Sequence, residues 1–96
     1  MKANVYFTRE ITPEKVVELY RALGVELPGK VAVKVHSGEK GNQNFLRPEF
    51  WRPMVEAVHG TVVECNTAYG DAAGGVRDHT ESHRRLLEEH GWTKYF

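Results

Sequence analysis

Two short apolar runs, each followed by a polar loop that contains glycine and then by a helix pattern, constrain the fold of this chain most. The first run ends at residue 35 and leads into a loop at residues 36–44, and the second covers 61–65 and leads into a loop at 65–76. Strands that alternate with helices and lack tight hairpin signals indicate parallel pairing through right-handed crossovers. Ligands of such sheets usually bind at the carboxyl ends of the strands, so both loops are predicted to face a ligand.

The complete pattern predicts an α/β fold with the order βαβαβα, in which helices cover both faces of a mostly parallel sheet to give three layers. The predicted strands cover residues 3–7, 30–35 and 61–65, and the predicted helices follow an N-cap at Thr12, lie within 48–58 and cover about 78–90. The aromatic segment 92–96 is β-prone and is predicted to open a fourth strand. That strand would either continue into a larger domain or close a small one.

Length and composition favour one small domain over residues 1–96, or the amino-terminal segment of a longer protein. The formal net charge is zero and no basic run stands out, so we expect neither a nucleic-acid nor a membrane partner. No apolar stretch approaches about 20 residues and the first residues lack a signal-peptide core, which predicts a cytoplasmic protein. One cysteine, Cys65, cannot form an internal disulfide or supply the thiolates of a zinc site or an iron–sulfur cluster.

Lys34 and Glu64 are charges near the ends of two apolar strands, where a buried charge needs a partner. If the strands are neighbours, the two side chains can form a structural ion pair. The functional alternative makes both of them candidate catalytic residues, with Lys34 holding an anion or carbonyl group and Glu64 acting as a base or metal ligand.

The two loops supply the predicted ligand-binding residues, because their polar side chains and glycines can approach a phosphate or carboxylate closely. These residues are His36, Ser37, Gly38, Asn66, Thr67, Tyr69 and Gly70. Neither a Walker A sequence nor a dinucleotide fingerprint is present, so a plain flexible loop remains the alternative.

His79 and His83 lie four residues apart on the third predicted helix and share a face, which is the geometry that two imidazoles need to bind one metal ion. They are the candidate metal ligands. The alternative is a charged helix whose histidines face solvent. Cys65 is likewise either a nucleophile or a small apolar residue at the end of a strand.

Three strings of residues carry a family resemblance: Lys-Val-His-Ser-Gly-Glu at 34–39, Glu-Cys-Asn-Thr-Ala-Tyr-Gly at 64–70 and Glu-Glu-His-Gly at 88–91. Together they resemble the domain of unknown function 362 family. The resemblance implies a redox-associated protein of the cytosol, usually longer than this chain, with two [4Fe–4S] clusters in a carboxyl-terminal region that is absent here. No cofactor is expected on this chain itself. Residues of the same kind occur in the family pattern at the positions of Lys34, Gly38, Glu64, Asn66, Thr67, Tyr69, Gly70 and His83. This chain departs from the pattern at residues 71–76, where the family is expected to have a more basic stretch.

Three functions follow from these observations. The first is a ligand-binding or scaffold segment of an iron–sulfur protein, which binds a small or anionic ligand at loops 36–44 and 65–76 and contacts the remainder of a longer chain. The second is an enzyme domain in which Lys34 and Glu64 perform acid/base or metal-assisted chemistry. The third is an interaction module that docks through its aromatic carboxyl-terminal strand.

Overall fold

The computed structural model describes residues 1–70 and 74–96, and within them it contains a parallel two-stranded sheet and four helices. The elements are α1 (Pro13–Leu23), β1 (Val31–Lys34), α2 (Pro48–Ala57), β2 (Gly60–Val63), α3 (Thr80–Glu89) and α4 (Trp92–Tyr95). Strands β1 and β2 pair in parallel with Val33 opposite Val62, and α2 lies in the connection between them. The predicted α/β class is confirmed.

The predicted order βαβαβα is not observed in the described residues, because residues 3–7 form no strand. The side chains of Val5 and Phe7 in this segment are 88% and 79% exposed. A strand requires backbone hydrogen bonds to a neighbour, and the sheet consists of β1 and β2 alone in the described part of the chain. The β propensity of Val5, Tyr6 and Phe7 is therefore not sufficient to form a strand, and the three-layer arrangement is not confirmed by the described residues.

Helix α1 has the boundaries that its sequence predicts. The Thr12 side chain accepts a hydrogen bond from the Lys15 N–H at 3.2 Å, and Pro13 occupies the first turn. Gly24 ends the helix with φ of 65°, a left-handed conformation that glycine adopts readily. None of the helices in the described ranges is long and apolar enough to cross a membrane.

The core lies on one face of the sheet. Val35, Phe45 and Trp92 form a buried cluster, and Val33 and Val62 pack against it together with Trp51 and Leu87. Alternate residues of both strands, Ala32 and Lys34 on β1 and Thr61 and Val63 on β2, are exposed on the opposite face. This sheet is therefore covered on one side, whereas the sequence pattern predicted helices on both.

The predicted fourth strand at 92–96 is wrong, since Trp92–Tyr95 form the short helix α4. Gly91 adopts φ of 80° and redirects the chain after α3. The Trp92 side chain is 3% exposed, and its indole Nε1–H donates to the carbonyl oxygen of Ser37 at 3.0 Å. The burial of this indole outweighs the β propensity of the segment and determines its helical conformation. The hypothesis of an aromatic docking strand therefore has no basis in this segment.

Candidate functional site

The two strand-end loops meet at the carboxyl edge of the sheet, as expected for neighbouring parallel strands. The ladder continues past β1 through a hydrogen bond from the Val35 N–H to the Val63 carbonyl at 3.2 Å. Further along the chain, the Thr67 N–H donates to the Arg77 carbonyl at 2.9 Å and connects the loop after β2 to the segment that precedes α3. Residues from both predicted loops are thus brought together.

Glu64, the first residue after β2, is the centre of this junction, with a side chain only 7% exposed. Its carboxylate accepts from the Lys34 ammonium, so the predicted contact between these two residues is present. The remaining donors to the carboxylate are the N–H groups of Ser37 and Cys65, both at 2.9 Å, and Nη1 of Arg77 at 3.4 Å. Burial opposes ionisation, but Lys34 and the two N–H groups outweigh it and lower the pKa of Glu64 to about 2.

Arg77 is the second centre, and it did not figure among the predicted site residues. Its side chain is 6% exposed and its guanidinium spans both loops. The contacts are Glu39 Oε2 and the Tyr69 hydroxyl at 3.1 Å, His36 Nδ1 at 3.2 Å and Glu64 Oε2 at 3.4 Å. No local signal in the sequence marks this arginine, because its contacts come from residues up to 41 positions away. A planar fork with five donors suits such bridging of several acceptors.

Ser37 is fully buried and joins β1 to both carboxyl-terminal helices. Its hydroxyl lies 3.1 Å from Nε2 of His83 on α3. Its carbonyl oxygen lies 2.9 Å from Nδ1 of His90 and accepts from the Trp92 indole. With the N–H donated to Glu64, every polar group of Ser37 is engaged within the protein.

His83 is 4% exposed, and both of its ring nitrogens are engaged. The Asn66 amide oxygen can only accept, so Nδ1 of His83, 3.0 Å away, carries the proton, and Nε2 accepts from the Ser37 hydroxyl. Burial lowers the pKa of His83 and favours this neutral form. The hydrogen bonds from Ser37 to His83 and from His83 to Asn66 connect these residues in the way of a catalytic triad. Ser37, however, has no exposed surface that a substrate could reach.

A cleft of about 330 Å³ opens beside this network. Its lining residues are Glu64, Asn66, Thr80, His83, Arg84 and Leu87. Four of them come from α3 at positions i, i+3, i+4 and i+7, the spacing that places side chains on one face of a helix. That spacing is a signal by which Thr80, Arg84 and Leu87 could have been found from the sequence alongside His83.

The residues that form the sheet, the loops and the cleft all lie within one family match. The family model described as "Domain of unknown function (DUF362)" matches residues 31–96. This chain belongs to the DUF362 family. The comparisons with curated proteins and with solved structures give no match. The family resemblance of the sequence is thereby confirmed.

The candidate metal ligands of this DUF362 chain are not brought together. The His79 side chain is 79% exposed and pairs with Asp78 at 2.9 Å, whereas His83 points both nitrogens at protein partners. In the described residues, no three His, Cys, Asp or Glu side chains are grouped as metal ligands would be. Cys65 is free and exposed. It is the only thiolate source of the chain, so the chain by itself does not fit a [4Fe–4S] cluster.

The other predicted ligand residues of the DUF362 chain mostly shape the loops. Gly38 is buried at φ of 85°, and a Cβ there would lie 2.4 Å from the Phe45 ring. At Gly70 a Cβ would lie 1.9 Å from a carboxylate oxygen of Asp78. The Thr67 hydroxyl donates to the Tyr69 carbonyl at 2.8 Å, which closes the loop locally. Residues 71–73 of the predicted loop lie outside the described residues.

Proposed function

We propose that this DUF362 chain is a ligand-binding α/β segment whose ligand occupies the cleft at the end of β2. The observation that carries the proposal is the make-up of that cleft. Glu64 and His83 form buried polar walls, and Asn66, Thr80 and Arg84 are exposed around them. The position, at the carboxyl end of parallel strands, is the one where ligands of α/β sheets usually bind.

The network behind the cleft supports binding because it holds the walls in one arrangement. In the described residues, no buried side-chain nitrogen or oxygen lacks a hydrogen-bond partner. Fully satisfied polar networks rigidify the groups that they connect. A ligand meeting such a surface loses less free energy to the ordering of side chains than one meeting a flexible loop.

The alternative of an enzyme that uses Lys34 and Glu64 as acid and base has less support. Four donors occupy the Glu64 carboxylate, and its pKa of about 2 makes it a weak base at neutral pH. Lys34 donates to that carboxylate and to the Val35 carbonyl at 2.6 Å. Both side chains serve the junction of the loops.

The proposal extends to the setting of the segment. We propose a longer, redox-associated protein of the cytoplasm whose [4Fe–4S] clusters are held by cysteines outside these 96 residues, a setting that the family resemblance supports. The intact mass and iron content of the protein from its native source test this. A species far heavier than 10.9 kDa that contains iron is expected, and an iron-free species of 10.9 kDa would overturn it.

The binding proposal is tested by amide chemical shifts of the ¹⁵N-labelled chain against small probes of four classes: carboxylates, phosphate esters, neutral polyols and nucleosides. At least one class should shift resonances that cluster at residues 64–66 and 80–87. A competing location is the apolar cavity of about 580 Å³ between residues 4–6, α1 and Trp51. Shifts confined to that cavity, or none with any class, would contradict the proposal.

A matched pair of variants makes the mapping sharper. Thr80→Tyr fills the cleft and should abolish the shifts at residues 64–66. Ser82→Tyr places the same side chain two residues further along α3, where Ser82 lines a different depression and not the cleft. It should leave binding unchanged.

A further inference from the structure

We infer that the ligand of this cleft carries an oxyanion, a carboxylate or phosphate group, that accepts hydrogen bonds from Arg84, Thr80 and Asn66. The inference rests on the proposed ligand-binding function and names the class of ligand. It comes from the hydrogen-bonding groups that the network leaves free. Those groups are almost all donors.

The buried walls of the cleft offer little to a ligand. Glu64 already receives four donors, which matches the number of lone-pair sites of a carboxylate. Both nitrogens of His83 are engaged by Ser37 and Asn66. Leu87 is apolar. The groups that remain for a ligand therefore come from Asn66, Thr80 and Arg84.

The exposed side chains retain donors. Asn66 uses one amide hydrogen on the Thr80 hydroxyl oxygen at 3.1 Å, so its second amide hydrogen and the Thr80 hydroxyl hydrogen are free. Arg84 makes no ion pair and no side-chain hydrogen bond within residues 1–70 and 74–96, so its five N–H groups are free as well. Its neighbour Arg85, by contrast, pairs with Glu81.

The charge balance favours the same class of ligand. The negative charges of Glu39 and Glu64 are matched by the positive charges of Arg77 and Lys34. Of the carboxylate and guanidinium groups that line the cleft, that of Glu64 is paired with Lys34 and Arg77, and that of Arg84 has no ion pair in the described residues. Thr80 is the first residue of the ten-residue α3, so the positive end of that helix adds to the attraction. Guanidinium groups bind carboxylates and phosphates through charge-assisted, often bidentate hydrogen bonds.

The experiment compares sodium acetate with acetamide, its neutral isostere, and with sodium phosphate, in amide-shift titrations at ionic strength matched with sodium chloride. Acetate or phosphate should shift resonances of residues 66 and 80–84, with a Kd at least about fivefold lower than that of acetamide. Preference between the two salts then distinguishes a carboxylate ligand from a phosphate ligand.

Arg84→Gln should raise the Kd of the oxyanion at least about fivefold, and Arg85→Gln should change it by less than about twofold. Thr80→Val, which removes one donor and no charge, should weaken binding by a smaller factor. Equal effects of Arg84→Gln and Arg85→Gln would show nonspecific surface attraction and overturn the inference. Binding of acetamide as tight as acetate would overturn it while leaving the proposed binding function intact, and failure of every probe at the cleft would remove both.

Discussion

The N–H of Ser37 donates to Oε2 of Glu64 at 2.9 Å, and this bond ties the loop after β1 directly to the residue that follows β2. The same serine reaches His83 through its hydroxyl and Trp92 through its carbonyl. One buried residue therefore fixes the positions of the sheet edge, α3 and α4 relative to one another. The position of the cleft depends on that junction.

Ser37→Ala should lower the free energy of unfolding by about 1–3 kcal/mol, because Nε2 of His83 would be left buried without a donor. Urea denaturation measures this. Ser82→Ala is the control, since the Ser82 hydroxyl only donates to the His79 carbonyl in an exposed turn, and it should cost no more than about 0.5 kcal/mol. Equal costs of the two variants would contradict the account of Ser37.

Arg77→Gln should lower the free energy of unfolding by about 3–5 kcal/mol, because it leaves Glu39 and Glu64 without their shared cation. Arg77→Lys should restore only part of this, since an ammonium cannot reproduce the planar fork. The exposed pair of Arg52 and Glu56 supplies the control, and Arg52→Gln should cost less than about 1 kcal/mol. Denaturation by guanidinium chloride would decide, and full rescue by lysine would contradict the bridging role.

The free energy of unfolding should fall in two steps as the pH is lowered. The pKa of His83 is lowered on folding, so the unfolded chain binds protons more readily and stability falls as the pH drops below about 6.5. The pKa of Glu64 is lowered from 4.5 to about 2, so its contribution is present above pH 4.5 and is lost as the pH falls towards 2. Solvent screening at the exposed Lys34 keeps that contribution below about 3 kcal/mol.

Thermal melting between pH 2 and pH 8 separates these two groups. Glu64→Gln should lower stability at pH 7 and flatten the loss between pH 4.5 and 2. His83→Gln should flatten the loss that begins near pH 6.5 and leave the lower step in place. An unchanged acid profile in Glu64→Gln would contradict the assignment.

Gly38→Ala should destabilise the fold by several kcal/mol, because a methyl group there would overlap the Phe45 ring in addition to the strain of φ at 85°. Gly41 is a matched control, since its φ is 77° and no atom lies within 4 Å of a Cβ placed there. Gly41→Ala should therefore cost only the backbone term, about 1–2 kcal/mol. Chemical denaturation of both variants measures the difference, and equal losses would show that Phe45 yields to the methyl group.

The sequence predicts those parts of the fold that local chemistry decides. Thr12, Pro13 and Gly24 set the ends of α1 through capping and backbone preference, and both are observed. The pairing of β1 with β2 and the contact between Lys34 and Glu64 follow from the repeated strand and loop pattern.

Long-range burial decides the parts that the sequence does not predict. The segment containing Val5 has strand propensity but no partner in the described residues, and Trp92 enters a helix because its indole is buried against Ser37. Arg77 forms its contacts with residues up to 41 positions away, so no local pattern identifies it. The spacing of His79 and His83 predicts that His83 is a metal ligand, whereas its ring nitrogens contact Ser37 and Asn66.

The most direct test of the account is the titration of the Glu64 side-chain carboxyl group by ¹³C NMR. Four protein donors saturate this carboxylate, which leaves ligand binding to the exposed side chains of the cleft. We therefore expect a pKa of about 2 for Glu64. A pKa at or above the ordinary 4.5 would contradict it, because the carboxylate would then be free to act as a base or to meet a ligand itself.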